Sequence, residues 1–74
     1  MIAAERRLLR HLAQADGWVA LAALKRRRLH DDGTGLLVPH LMARGLIDYR
    51  ADRQELRITA AGRAAMERSA HPTT

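Results

Sequence analysis

Four histidines, a single serine, eight carboxylates and thirteen basic residues are the groups with which this 74-residue chain could do chemistry. His11, His30, His40 and His71 show no pair at the three- or four-residue spacing that sets two ligands on one helix face, and there is no cysteine to supply a thiolate. His30 with Asp31, Asp32 and His40 is the one set dense enough to gather a metal, and scattered histidines of this kind read as surface residues. Ser69 lies in no nucleophile motif, and no glycine-rich phosphate loop follows a strand-like run. The expectation is therefore a protein with no catalytic residue, no metal and no cofactor.

What remains is basic charge. Lys25, Arg26, Arg27 and Arg28 are consecutive, and at about 100° per residue they spread around a helix instead of forming a stripe. At a helix carboxyl end they complement the macrodipole. They read either as a solvated helix end or as a phosphate-binding cluster. The net charge of +5 is unevenly placed: residues 1–30 hold seven Lys or Arg against two acids, residues 31–56 three against five, and residues 57–74 three against one. A basic balance favours polyanionic partners such as nucleic acid, although the middle segment is acidic.

The elements that would position these groups follow from periodicity. At this length the chain is one domain, 1–70, with modest stability of about 4 to 11 kcal/mol. Phe is absent and Trp18 and Tyr49 are the only aromatics, so the core rests on Leu, Ile, Val and Ala; both aromatics are expected in that core. No apolar run approaches a membrane span and the amino terminus lacks the apolar stretch of a signal peptide, so a cytoplasmic protein is expected.

A first helix is predicted over 3–15, burying Ile2, Leu8, Leu9, Leu12 and Ala13 and ended by Gly17 in the left-handed conformation. Trp18 and Val19 form a short extended piece before a second helix, from about Ala20 to Arg28 or Leu29, with Leu21, Leu24 and Leu29 inward. His30 to Gly35 is turn chemistry, in which Asp31 and Asp32 could also cap the next helix. A third helix runs from about Thr34 or Leu36 to Arg44, with Leu37, Val38 and Leu41 inward and Leu36, Pro39, His40 and Ala43 outward. Pro39 fits best in its first turn, and Gly45 stops it.

Pairing Arg50 with Glu55 around a tip at 51–54 sets Asp48 opposite Arg57 on one face. The same register puts Tyr49 opposite Leu56 and Ile47 opposite Ile58 on the other, and no one-residue slip keeps both sets. Thr59 suits the N-cap of a last helix, where Gly62 permits close backbone packing, and His71 to Thr74 reads as a frayed tail. The expected class is mainly α with a small antiparallel β-hairpin.

Leu41-Met42-Ala43-Arg44-Gly45-Leu46-Ile47, followed by Leu56-Arg57-Ile58-Thr59-Ala60-Ala61-Gly62-Arg63, resembles the signature of winged helix-turn-helix regulators of the MarR and PadR type. In that family an arginine-glycine-leucine segment leads from the recognition helix into the wing, and threonine-x-x-glycine follows the second wing strand. The likeness spans about Leu8 to Arg68. It implies a three-helix core, a two-stranded wing, a short carboxyl helix, and double-stranded DNA as partner with the third helix in the major groove.

Transferred by position, DNA contacts fall on Thr34, His40 and Arg44 between Asp31 and Arg44, and on Arg53 at the wing, beside the phosphate candidates Lys25, Arg26, Arg27 and Arg28; Arg6, Arg7 and Arg10 on the first helix are further phosphate candidates. On the outward side of the third helix only His40 has a donor for base edges, and Asp31 and Asp32 would repel DNA. This points to a regulator that binds mainly through phosphates with modest base readout. Small free-standing winged helices occur in bacteria and their phages, and the Ala- and Arg-rich composition fits such an origin. The alternative is a protein-interaction module that uses Leu36, Pro39 and Ala43 as an apolar face, most simply in a homodimer.

Overall fold

Leu8, Leu9 and Leu12 place three large side chains on one side of a thirteen-residue helix, α1 (Ala3–Ala15), and all three are fully buried in the computed structural model, which describes residues 2–70. The tail expected at 71–74 lies outside the described residues. α1 packs against the last helix, the third helix and the sheet. The element order continues with β1 (Val19–Ala20), α2 (Leu21–Arg26), α3 (Leu37–Ala43), β2 (Ile47–Arg50), β3 (Glu55–Ile58) and α4 (Ala60–Ala70). The architecture is four helices with a three-stranded antiparallel sheet in the order β1-β3-β2, so the hairpin expected from sequence gains a third strand.

The hairpin register is as derived: Ile47 faces Ile58, Asp48 faces Arg57, Tyr49 faces Leu56 and Arg50 faces Glu55. Both charge pairs close, Arg50 to Glu55 at 2.7 Å and Arg57 to Asp48 at 3.2 Å. The inward face buries Ile47, Leu56 and Ile58, joined by Val19, whose strand partner is Leu56. Leu24, Leu37, Leu41 and Leu46 complete the core. Each fully buried leucine contributes roughly 1.5–3 kcal/mol relative to exposure.

Several expectations are corrected. Asp16, not Gly17, takes the left-handed conformation after α1, with φ 52°, and its carboxylate pairs with Arg63 on α4 at 3.0 Å. Asp tolerates this region better than most residues. Ile2 is exposed instead of buried. Trp18 is not in the core. As the residue before β1 it falls on the outer sheet face, where the Arg50 and Arg57 guanidinium carbons lie 4.1 and 4.7 Å from its ring centroid. That geometry is a cation–π stack in which both cations also keep their carboxylates. Tyr49 stands on the inner side of the register yet is exposed, because it borders a surface groove described below. Finally, α2 spans Leu21–Arg26 and stops two or three residues before the expected end at Arg28 or Leu29.

The junction between α3 and α4 is built from Gly45, Leu46, Thr59 and Gly62. Gly45, at φ 72°, closes α3: its N–H donates to the Met42 carbonyl at 3.0 Å and the Leu46 N–H donates to the Leu41 carbonyl at 3.0 Å. This pair of bonds satisfies two carbonyls that a helix end otherwise leaves free. The Thr59 hydroxyl then donates to the Gly45 carbonyl at 2.7 Å and accepts the Gly62 N–H at 3.0 Å, while the Thr59 N–H donates to the Leu46 carbonyl at 3.1 Å. Gly62 sits so close that a Cβ there would lie 2.2 Å from the Leu46 carbonyl oxygen. Gly45, Thr59 and Gly62 are thus parts of one joint between the two helices.

Candidate nucleic-acid interface

The short α2 ends in its own basic residues. Arg28 adopts the left-handed conformation, φ 57°, its N–H donating to the Lys25 carbonyl at 3.1 Å and the Leu29 N–H donating to the Leu24 carbonyl at 2.9 Å. This is the same closure that Gly45 gives α3, performed by an arginine at a strain of about 1 kcal/mol. Lys25, Arg26, Arg27 and Arg28 are all exposed.

The loop that follows is built by its two aspartates. Asp31 Oδ1 accepts the N–H groups of Asp32 at 2.9 Å and Gly35 at 2.7 Å; Asp32 Oδ1 accepts the Thr34 N–H at 3.1 Å and the Thr34 hydroxyl at 2.6 Å. The Thr34 hydroxyl in turn accepts the Leu36 N–H at 3.0 Å. The aspartates therefore order the loop and do not cap α3, whose N-cap, Leu36, has no side-chain cap bond. The Thr34 hydroxyl holds Asp32 below the usual carboxyl range, with help from the Thr34 backbone N–H. Pro39 occupies the third position of α3, where its missing N–H has no helical acceptor to lose, and the first helical bond runs from His40 N–H to the Leu36 carbonyl at 2.9 Å.

The cations divide into two sets. Arg44, Arg50, Arg57 and Arg63 are engaged: Arg44 lies 3.0 Å from Glu5 Oε2, and the others hold Glu55, Asp48 and Asp16. Glu5, only 8% exposed, uses its second oxygen to accept the Ile2 N–H at 3.0 Å at the start of α1. Arg44 is thereby tied to α1 across 39 residues of sequence. Lys25, Arg26, Arg27, Arg28 and Arg53 are exposed and form no ion pair with a described residue, and the same holds for Arg6, Arg7, Arg10 and Arg68. The Gln54 carbonyl accepts the Leu21 N–H at 2.8 Å, so the hairpin tip that carries Arg53 is pinned to the start of α2.

Of the residues singled out from sequence, Pro39, His40 and Ala43 on α3 and its N-cap Leu36 are exposed as expected, with Leu36 at 49%. Thr34 is committed to its loop. Unanticipated is a groove of about 280 Å³ where α2, α3 and the hairpin converge, walled by Leu21, Val38, Met42, Tyr49 and Leu56, with Lys25 and His30 at its edge. His30 Nδ1 is buried there without a hydrogen-bond partner among the described residues. No group of three or more His, Asp or Glu that could hold a metal occurs among the described residues, and none of the described helices is long and apolar enough to cross a membrane. No protein-family model, curated protein or solved structure matches the chain.

Proposed function

We propose that this chain is a winged-helix DNA-binding protein, a cytoplasmic transcriptional regulator of prokaryotic or phage type. It holds duplex DNA mainly through phosphates, with α3 toward the major groove and the hairpin as the wing. The observation that carries the reading is the division of the cations: those of the sheet, Arg63 of α4 and Arg44 at the α3 end are held by carboxylates, while Lys25 to Arg28 at the end of α2 and Arg53 on the tip pinned to that helix form no ion pair with a described residue. Free arginines and lysines contact phosphate without desolvating a carboxylate partner first. On α3, His40 offers the one base-edge donor, and Leu36, Pro39 and Ala43 suit contact with thymine methyl groups. Base selectivity is correspondingly modest.

Five phosphate contacts give a log–log salt slope of about −4 to −5, which lowers affinity about 10²- to 10³-fold between roughly 50 and 200 mM salt. Anisotropy titration of a labelled random-sequence duplex measures it. Replacing Arg27 and Arg28 together by alanine should flatten the slope by about 2. Absence of binding at low salt, or an unchanged slope in the double variant, would refute the proposal.

A second reading rests on the 49% exposure of Leu36 beside exposed Pro39 and Ala43. In it this apolar edge of α3 joins two copies of the chain. Sedimentation of the parent and of Leu36→Asp tests it; the reading fails if both have the same mass in solution.

A further inference from the structure

The apolar walls of the groove between α2, α3 and the hairpin are used neither by the phosphate contacts nor by the Leu36 edge. Its walls are apolar, and two of the wall residues, Met42 and Tyr49, are among the most exposed large hydrophobic side chains described, at 41% and 37%. Lys25 is the one charged side chain among the described residues that line it, and no carboxylate of the described residues does. The chain continues from Lys25 directly into Arg26, Arg27 and Arg28. At about 280 Å³ the groove is smaller than the roughly 300–1,000 Å³ that encloses a small ligand, and it is open at its exposed walls. It has the form of a receptor for a protruding side chain. Its apolar walls offer nucleic acid almost no hydrogen-bonding groups to replace lost hydration.

We propose that this groove receives an apolar side chain of an acidic amphipathic segment of a partner protein, whose flanking carboxylates lie on Lys25 and the arginines after it. Apolar anchors spaced along one face of a helix are a recurring way to fill such a groove, and complementary charge on the rim steers the encounter. The acidic segment would compete with DNA for Lys25 and the arginines after it, whereas the apolar walls that hold its side chain take no part in phosphate contact.

The test is nuclear magnetic resonance titration of the full chain with a synthetic helical peptide of about 16 residues, carrying leucines at helical spacing and glutamates elsewhere. Two counterparts replace the leucines by serine or the glutamates by lysine. The expected result is shifts at the Val38 and Met42 methyl groups and the Tyr49 ring. Affinity should fall about tenfold or more for each counterpart peptide, and by a similar factor in the Met42→Asp and Lys25→Glu variants. Both variants alter exposed positions, and unchanged spectra away from the groove verify that they fold. Equal binding of all three peptides, or none, overturns the proposal. So do shifts of the same groove nuclei on concentrating the chain alone, which would make a second copy the occupant.

Discussion

Replacing Gly62 by alanine adds one methyl group to the third residue of α4. Helix propensity alone would favour the change by about 1 kcal/mol. The new Cβ, however, would stand 2.2 Å from the Leu46 carbonyl oxygen and 2.7 Å from Ile58 Cγ1. A carbon and a carbonyl oxygen sit comfortably at about 3.3 Å or more, so α4 and the Leu46 backbone must part by roughly 1 Å. That carbonyl is the acceptor for the Thr59 N–H, and the Thr59 hydroxyl links Gly45 to Gly62, so three hydrogen bonds stretch together. At about 1 kcal/mol each they outweigh the propensity gain, for a net loss of about 2 kcal/mol. In a domain of this size that is a fall in Tm of about 8–16 °C. Thermal unfolding followed by circular dichroism at the helix band measures it, with Ala61→Gly, at the exposed neighbouring position, as a control for propensity, losing at most about 1 kcal/mol. A Gly62→Ala protein that melts at or above the parent temperature would refute the steric account of the joint.

Arg28→Gly should raise stability by about 0.5–1 kcal/mol, since glycine takes the left-handed closure of α2 without a Cβ penalty, while weakening DNA binding; urea unfolding and the duplex titration read the two effects separately. Arg44→Ala should cost about 1 kcal/mol through Glu5, discounted because the Arg44 side chain is half exposed, and should leave the salt slope of DNA binding unchanged. Asp32 titrates below the usual aspartate value in the folded chain, so its contribution to stability is present above that value and is lost as pH falls through the folded-state pKa. Thr34→Ala should move the Asp32 carboxyl resonance midpoint upward in a pH titration, and an unmoved midpoint would show that the hydroxyl is not the cause.

The parts of the fold that were legible from sequence are those fixed by near neighbours. The hairpin register follows from two charge pairs and two apolar pairs within twelve residues, the stop at Gly45 from a glycine after an amphipathic run, and the place of Pro39 from its missing N–H. What escaped depends on partners far along the chain. β1 has two residues, too few for alternation to register, and exists because β3 is there to pair with it. The outward position of Trp18 follows from that pairing. Asp16 displaces Gly17 as the left-handed residue where Arg63, 47 positions later, meets its carboxylate. The pairing of Arg44 with Glu5 likewise spans 39 positions, beyond the reach of any local pattern. The groove at Met42 and Tyr49 requires three elements to converge, and no local pattern encodes that.

The strand order β1-β3-β2 has a consequence for how the chain is made. β3, the central strand, is the last of the three to leave the ribosome, and both of its neighbours are edge strands that pair with nothing else. Val19 and Ala20 must therefore wait for residues 55 and 56 before their backbone groups are satisfied within the fold, and the loop closed at that moment is more than thirty residues long. The sheet is therefore the element that seals the amino-terminal half to the carboxyl-terminal half. A nascent chain halted before Glu55 would expose Val19 and the apolar side of α1 together, a natural target for chaperones or proteases during synthesis.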